Sequence, residues 1–121
     1  MLKTKFCEIE LQNPLVLASG ILGTSVDLMN RVVINGAGAV TTKSIGPVER
    51  SVHNNPTIVD IPNGIYNAVG LPTPGYLNMG EEFKRFREIE APLIVSVYGS
   101  SVEDYVKIVK YVCKYKVDII E

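Results

Sequence analysis

The chain has 121 residues, of which 46% are hydrophobic and 21% charged, with a formal net charge of −1. That content supports one packed domain, while the near-neutral charge and the lack of a dense Lys/Arg block exclude a surface dedicated to nucleic acid. No run of eighteen or more apolar residues and no signal-like start occur, so the expectation is a cytoplasmic protein with no membrane segment and small-molecule partners.

Taken in chain order, Lys3 to Leu11 alternates in part between polar and apolar residues, which predicts one or two short antiparallel strands. Leu15 to Gly20 is a short apolar run ending in small residues, the pattern of a buried parallel strand that meets a ligand at its C-terminal end. Ser25 is placed to cap a helix carrying Asp27 in its first turn and Met29, Val32 and Val33 on one stripe, with Asn35-Gly36 as its stop. Ala39 to Ile45 predicts a second buried strand with Lys43 near its end, where a charge needs solvent or an anionic partner.

Gly46 to Gly75 is a long irregular stretch with prolines at 47, 56, 62, 72 and 74. Within it Thr57 to Ile61 and Ile65-Tyr66 suit a hairpin around Pro62-Asn63-Gly64. A loop of this length inside a compact domain is usually functional. From Tyr76 the spacing of Met79, Phe83 and Phe86 predicts a helix, Leu93 to Tyr98 a third buried strand, and Ser101 the cap of another helix. Val102, Tyr105, Val106, Val109, Val112 and Cys113 form the apolar stripe of that helix, which makes Cys113 a buried small hydrophobe. Val117 to Ile120 begins a fourth strand. Cys7 and Cys113 have no metal-like or Cys-x-x-Cys spacing, and no metal site is expected.

Strands alternating with helices imply right-handed βαβ units and a parallel sheet, either an open doubly wound sheet or a (β/α)8 barrel. Gly20-Ile21-Leu22-Gly23-Thr24-Ser25 is only a loose echo of a phosphate-cradling loop, which weakens the open-sheet reading. Ser19, Lys43 and Ser96, polar residues at C-terminal strand ends, suit a barrel with its active site on that face. The expected fold class is therefore α/β, the N-terminal half of a (β/α)8 TIM barrel preceded by a short β-hairpin. A full barrel needs about 250 residues, so 1–121 is a partial single domain holding its first strands and helices.

Three segments stand out together: Asn13 to Gly20, Thr41-Thr42-Lys43-Ser44, and Asn67 to Gly75. At these residues the chain resembles the dihydroorotate dehydrogenases, specifically the type 1B catalytic subunit, and the likeness runs over all 121 residues in order. The resemblance implies an FMN-dependent oxidoreductase of pyrimidine biosynthesis that oxidises dihydroorotate to orotate. It places Lys43 between flavin and substrate, where a fixed cation stabilises charge developing on the reduced ring. It gives substrate binding to Lys43, Asn67, Ala68, Val69, Gly70 and Leu71, with the Asn67 amide on the pyrimidine edge and backbone N–H groups through Gly70 and Leu71 on the carboxylate. Ser19, Gly20, Lys43, Ser44 and Ser96 carry over as flavin contacts.

Two positions depart from the family pattern: Ser96 stands where an Asn commonly contacts flavin, and Thr73 where an Asn is frequent. No catalytic residue is expected within this chain, because the family's cysteine base follows the fourth strand, beyond Glu121. The resemblance further implies a homodimer of catalytic subunits, with FAD and an iron-sulfur cluster carried by a partner subunit that passes electrons to NAD. From local sequence alone, Asn67 and Gly70 read as a turn before Pro72, His53 as an exposed loop residue, and Glu49-Arg50 and Glu81-Glu82 as solvated or salt-linked surface. The alternatives are a non-catalytic half-barrel or binding module and a related flavin barrel acting on another pyrimidine.

Overall fold

The computed structural model describes residues 2–121. The chain opens with β1 (Thr4–Phe6) and β2 (Ile9–Leu11), paired antiparallel with Lys5 opposite Glu10. The turn between them puts Cys7 and Glu8 at positive φ. The main body is a four-stranded parallel sheet in chain order: β3 (Val16–Leu17), β4 (Ala39–Thr41), β7 (Leu93–Val95) and β8 (Ile119–Ile120). Between β4 and β7 lies a separate hairpin, β5 (Ile58–Ile61) and β6 (Gly64–Asn67), turning at Asn63 with φ 69°.

Register follows from burial. Val40 pairs with Leu93 at the sheet centre, and every residue of β4 and β7 is buried, as expected of parallel strands covered on both faces. The strands are shorter than the apolar runs that contain them. Leu15 and Val16 are exposed rather than buried, because β3 is an edge strand with no neighbour on its outer side.

Helix α1 (Val26–Ile34) starts as expected, with the Ser25 hydroxyl accepting from the Leu28 N–H. A second acceptor comes from far along the chain: the Glu82 carboxylate takes the Val26 N–H. Beyond the solvated or salt-linked surface expected of it, Glu82 satisfies one of the donors that a helix N-terminus leaves open. Arg85 strengthens the same junction through a fork on Asp27 (3.2 and 2.7 Å) and a contact to Glu88 (3.1 Å). The Arg85 guanidinium holds the Asp27 carboxyl below its ordinary value, by hydrogen bonding first and charge second.

The predicted helix from Tyr76 is broken into a 3-10 turn (Tyr76–Met79), a short α2 (Gly80–Arg85) and a second 3-10 turn (Phe86–Glu88). Phe83 and Phe86 are fully buried and meet edge to face at 5.3 Å. Phe83 also packs on Tyr115 at 5.3 Å, and Tyr76 on Tyr111 at 5.2 Å, so aromatic rings join this segment to the last helix.

That helix, α3 (Val102–Val112), begins on Ser101, whose hydroxyl accepts from the Asp104 N–H. Its buried face differs from the expected stripe. Ile108 and Val112 are the fully buried members, whereas Val102, Tyr105, Val106 and Cys113 are exposed. The expected stripe spread over more than one face, and the sheet covers only the arc centred on Ile108 and Val112. Cys113 is the C-cap, just past Val112, the last buried residue of the helix. Among the described residues no helix is long and apolar enough to cross a membrane.

Candidate active site

The parallel sheet carries its polar residues just beyond the C-terminal ends of the strands. Ser19 follows β3, Lys43 and Ser44 follow β4, and Ser96 follows β7. Their hydroxyls form one chain: Ser19 Oγ lies 3.0 Å from Ser44 Oγ, which lies 2.9 Å from Ser96 Oγ. Ser96 is buried, and its N–H donates to Thr42 Oγ1 at 3.1 Å. Three strand ends are thus tied side chain to side chain.

Beside this row is a cavity of about 510 Å3, lined by Lys43, Ser44, Glu49, Arg50, Val69 and Thr73 among others. Lys43 is half-buried, its N–H donates to the Gly23 carbonyl at 2.8 Å, and among the described residues its ammonium forms no ion pair. A cation that is not ion-paired has charge available for an anionic ligand. Gly23 makes this approach possible. A Cβ on it would lie 2.5 Å from Lys43 N and 2.7 Å from Thr42 C, so only glycine lets the turn after β3 sit on the end of β4.

The other wall is the segment from Asn67 to Gly75. Its backbone is tied down at both ends: the Ala68 N–H donates to the Thr57 carbonyl at 2.7 Å, and Thr73 exchanges backbone bonds with Arg50 at 2.8 and 3.1 Å. The Asn67 carboxamide oxygen accepts from the Val69 N–H at 3.4 Å, which is the local turn that the sequence suggests, and leaves its amide donors free. Gly70 has φ +67°, and a Cβ on it would lie 3.0 Å from His53 Nε2.

Of the residues singled out from sequence, the cavity wall brings together Lys43, Ser44 and Val69. Asn67, Ala68, Gly70 and Leu71 belong to the segment that forms its margin. Ser19, Gly20 and Ser96 lie outside the lining, with the two serines joined to it through Ser44. The sequence pattern gives no site role to Gly23, Arg50 or Tyr98. Arg50 is exposed as expected yet faces the cavity, and Tyr98 reaches the loop by donating to the Leu71 carbonyl at 3.3 Å. His53 is exposed, as its loop position implies, but its ring covers Gly70. Neither Cys7 nor Cys113 lines the cavity, and the described residues contain no cluster of three potential metal ligands.

Comparison with known proteins gives the family. The catalytic subunit of dihydroorotate dehydrogenase B (NAD(+)) from Methanocaldococcus jannaschii is 45% identical over 125 aligned positions, covering all of this chain and 40% of the relative. The subunit of the same name from Methanothermobacter thermautotrophicus is 44% identical over all of the chain and 39% of the relative, and that from Thermoplasma acidophilum 42% over 99% and 40%. The chain thus spans about two fifths of the length of these curated relatives. The dihydroorotate dehydrogenase family profile matches residues 1–121, and the chain belongs to that family.

Proposed function

We propose that this chain contributes the strand-end half-site of a dihydroorotate dehydrogenase catalytic subunit of the NAD-linked type, acting in pyrimidine biosynthesis. In this reading residues 1–121 form the first four strands of a flavin-binding (β/α)8 barrel, preceded by the β1-β2 hairpin. The observation that carries it is the convergence of Lys43 and the Asn67–Gly75 segment on one cavity at the C-terminal ends of parallel strands, in a chain matched throughout by the family profile. In barrels of this kind ligands bind on that face.

The donor set suits FMN. An isoalloxazine presents a row of alternating acceptors and a donor along one edge, and hydroxyls that can each donate or accept, as in Ser19 and Ser44, can meet either kind. Gly20 leaves open space above its Cα, so a flat ring can approach the backbone there. When bound, FMN supplies the hydride acceptor.

The residues of this chain then act by charge and position. The Lys43 ammonium lies beside the reacting region and stabilises negative charge that develops during hydride transfer. The Asn67 amide donors address a pyrimidine carbonyl, and backbone N–H groups through Gly70 and Leu71 hold the substrate carboxylate. Ser96, buried, acts through Ser44. The base that takes the substrate proton is, in this reading, the family's cysteine, which is neither Cys7 nor Cys113. A second subunit with FAD and an iron-sulfur cluster, and pairing of two catalytic subunits, belong to the same reading.

The test is anaerobic mixing of the intact protein with dihydroorotate while flavin absorbance is followed. Bleaching by dihydroorotate, slowed by about two or more powers of ten in Lys43→Ala, supports the reading. Asn67→Ala is expected to weaken substrate binding more than it slows the limiting rate. Flavin reduction that is unchanged in both variants, or no reduction of the unmodified protein, would sink it.

A further inference from the structure

The segment proposed to bind the carboxylate is fastened at its two ends to Thr57 and Arg50, in the loop that follows β4, but its middle, Gly70-Leu71, makes no backbone hydrogen bond to the strand ends. The peptide between Leu71 and Pro72 has no N–H, so its carbonyl is its only strong hydrogen-bonding group. That carbonyl accepts from Tyr98 Oη at 3.3 Å.

Tyr98 is itself rigidly mounted. It follows β7 by three residues, and its N–H donates to the Ile45 carbonyl at 3.0 Å, extending the parallel pairing of Ile45 with Val97. Its ring lies against buried Gly46, where a Cβ would meet Tyr98 Cζ and Oη and would lie 2.8 Å from Cε1. Gly46 in turn accepts from the Tyr76 N–H at 3.0 Å. A glycine with no side chain therefore provides a flat seat for the ring, and the seat aims the phenol at a residue 27 positions away.

From this arrangement we infer that Tyr98 is a positioning residue for the carboxylate-binding backbone of Gly70-Leu71. It acts by fixing the Leu71 carbonyl, and hence the rotation of the adjoining backbone, to the frame of β4 and β7. The inference rests on the reading of the site given above. A hydrogen bond from a half-buried phenol to a loop carbonyl preorganises the loop before the ligand arrives, so its loss falls on binding and spares chemistry.

The test is Tyr98→Phe in the intact protein, which keeps the ring on Gly46 and removes the donor. Orotate binding is measured by titration calorimetry, together with flavin content, melting temperature and the limiting rate of flavin reduction by dihydroorotate. The expected result is an orotate dissociation constant raised about five- to tenfold, the size of one modest net hydrogen bond. Flavin content, melting temperature and limiting rate stay near their original values. Gly46→Ala, which unseats the ring, is expected to weaken orotate binding at least as much, and to add little when combined with Tyr98→Phe. Orotate affinity in Tyr98→Phe within twofold of the unmodified protein overturns the inference while leaving the proposed function intact. Flavin content and limiting rate falling in parallel with affinity overturn it in favour of a general structural role. An unmodified protein that binds no orotate overturns the proposed function and this inference together.

Discussion

Replacing Gly23 with alanine tests how tightly the turn after β3 is built onto β4. The added Cβ would lie 2.5 Å from Lys43 N and 2.7 Å from Thr42 C, and would also meet the Thr41 carbonyl oxygen. All three are backbone atoms of a segment held by buried strand pairing, so none can swing aside as a side-chain tip would. Relief requires moving the turn or the end of β4, a cost of about 1–3 kcal/mol for overpacking. The same shift stretches the bond from the Lys43 N–H to the Gly23 carbonyl, and an unmade buried donor adds about 1–3 kcal/mol. The sum, about 2–6 kcal/mol, is a large part of the roughly 5–15 kcal/mol by which domains are stable. Urea unfolding of the intact protein measures it, with Gly64→Ala as the control. Gly64 has only Ile61 side-chain carbons at 3.9 Å, and alanine there is expected to be neutral or slightly stabilising. A Gly23→Ala variant within about 0.5 kcal/mol of the unmodified protein would refute the reasoning, because that is the range of an unconstrained surface site.

Two further outcomes follow from the packing between helices and from their charges. Phe83→Ala removes a ring that touches both Phe86 and Tyr115, and is expected to cost about 3–5 kcal/mol in the same urea experiment; a loss below about 1 kcal/mol would show that the aromatic cluster does not hold α3 to the body. Asp27 has its folded carboxyl pKa depressed below 3.8 by Arg85, so its contribution is present above that value and lost as pH falls through the folded pKa. Asp27→Asn should therefore differ in stability from the unmodified protein at neutral pH, with the difference shrinking below about pH 4; a difference that stays constant down to pH 2 would rule out the ion pair as its source.

The alternation of apolar runs with capped helical segments was enough to read the parallel sheet, because buried strands and N-caps are written in residues close together. Ser25 and Ser101 cap as their local sequence implies. The ends of the strands were less legible, since Leu15-Val16 is as apolar as a buried strand and is exposed only because β3 stands at an edge. The face of α3 was misjudged for a related reason: Val102, Tyr105 and Val106 have the right chemistry and spacing, but no element lies over them. At the cavity, Lys43 and the Asn67–Gly75 segment were recognisable as a pattern. Gly23, Tyr98 and Glu82 were not, because each draws its importance from a partner on a distant stretch of chain, which one-dimensional spacing does not encode.

The row Ser19, Ser44, Ser96 also has a proton inventory. Three hydroxyls linked by two hydrogen bonds leave one O–H unused within the row. Leaving it on Ser96 would strand a donor in the buried end, which is costly, whereas Ser19 and Ser44 are only half-buried. The favoured arrangement has Ser96 donating to Ser44, with the spare proton carried by either of the two half-buried oxygens, that of Ser19 or that of Ser44. Exchanging it between them needs only rotations about C–O bonds, with no heavy atom displaced. The rim can therefore offer a donor at β3 or at β4 according to what the bound molecule lacks, and the direction of the row is set from its dry end.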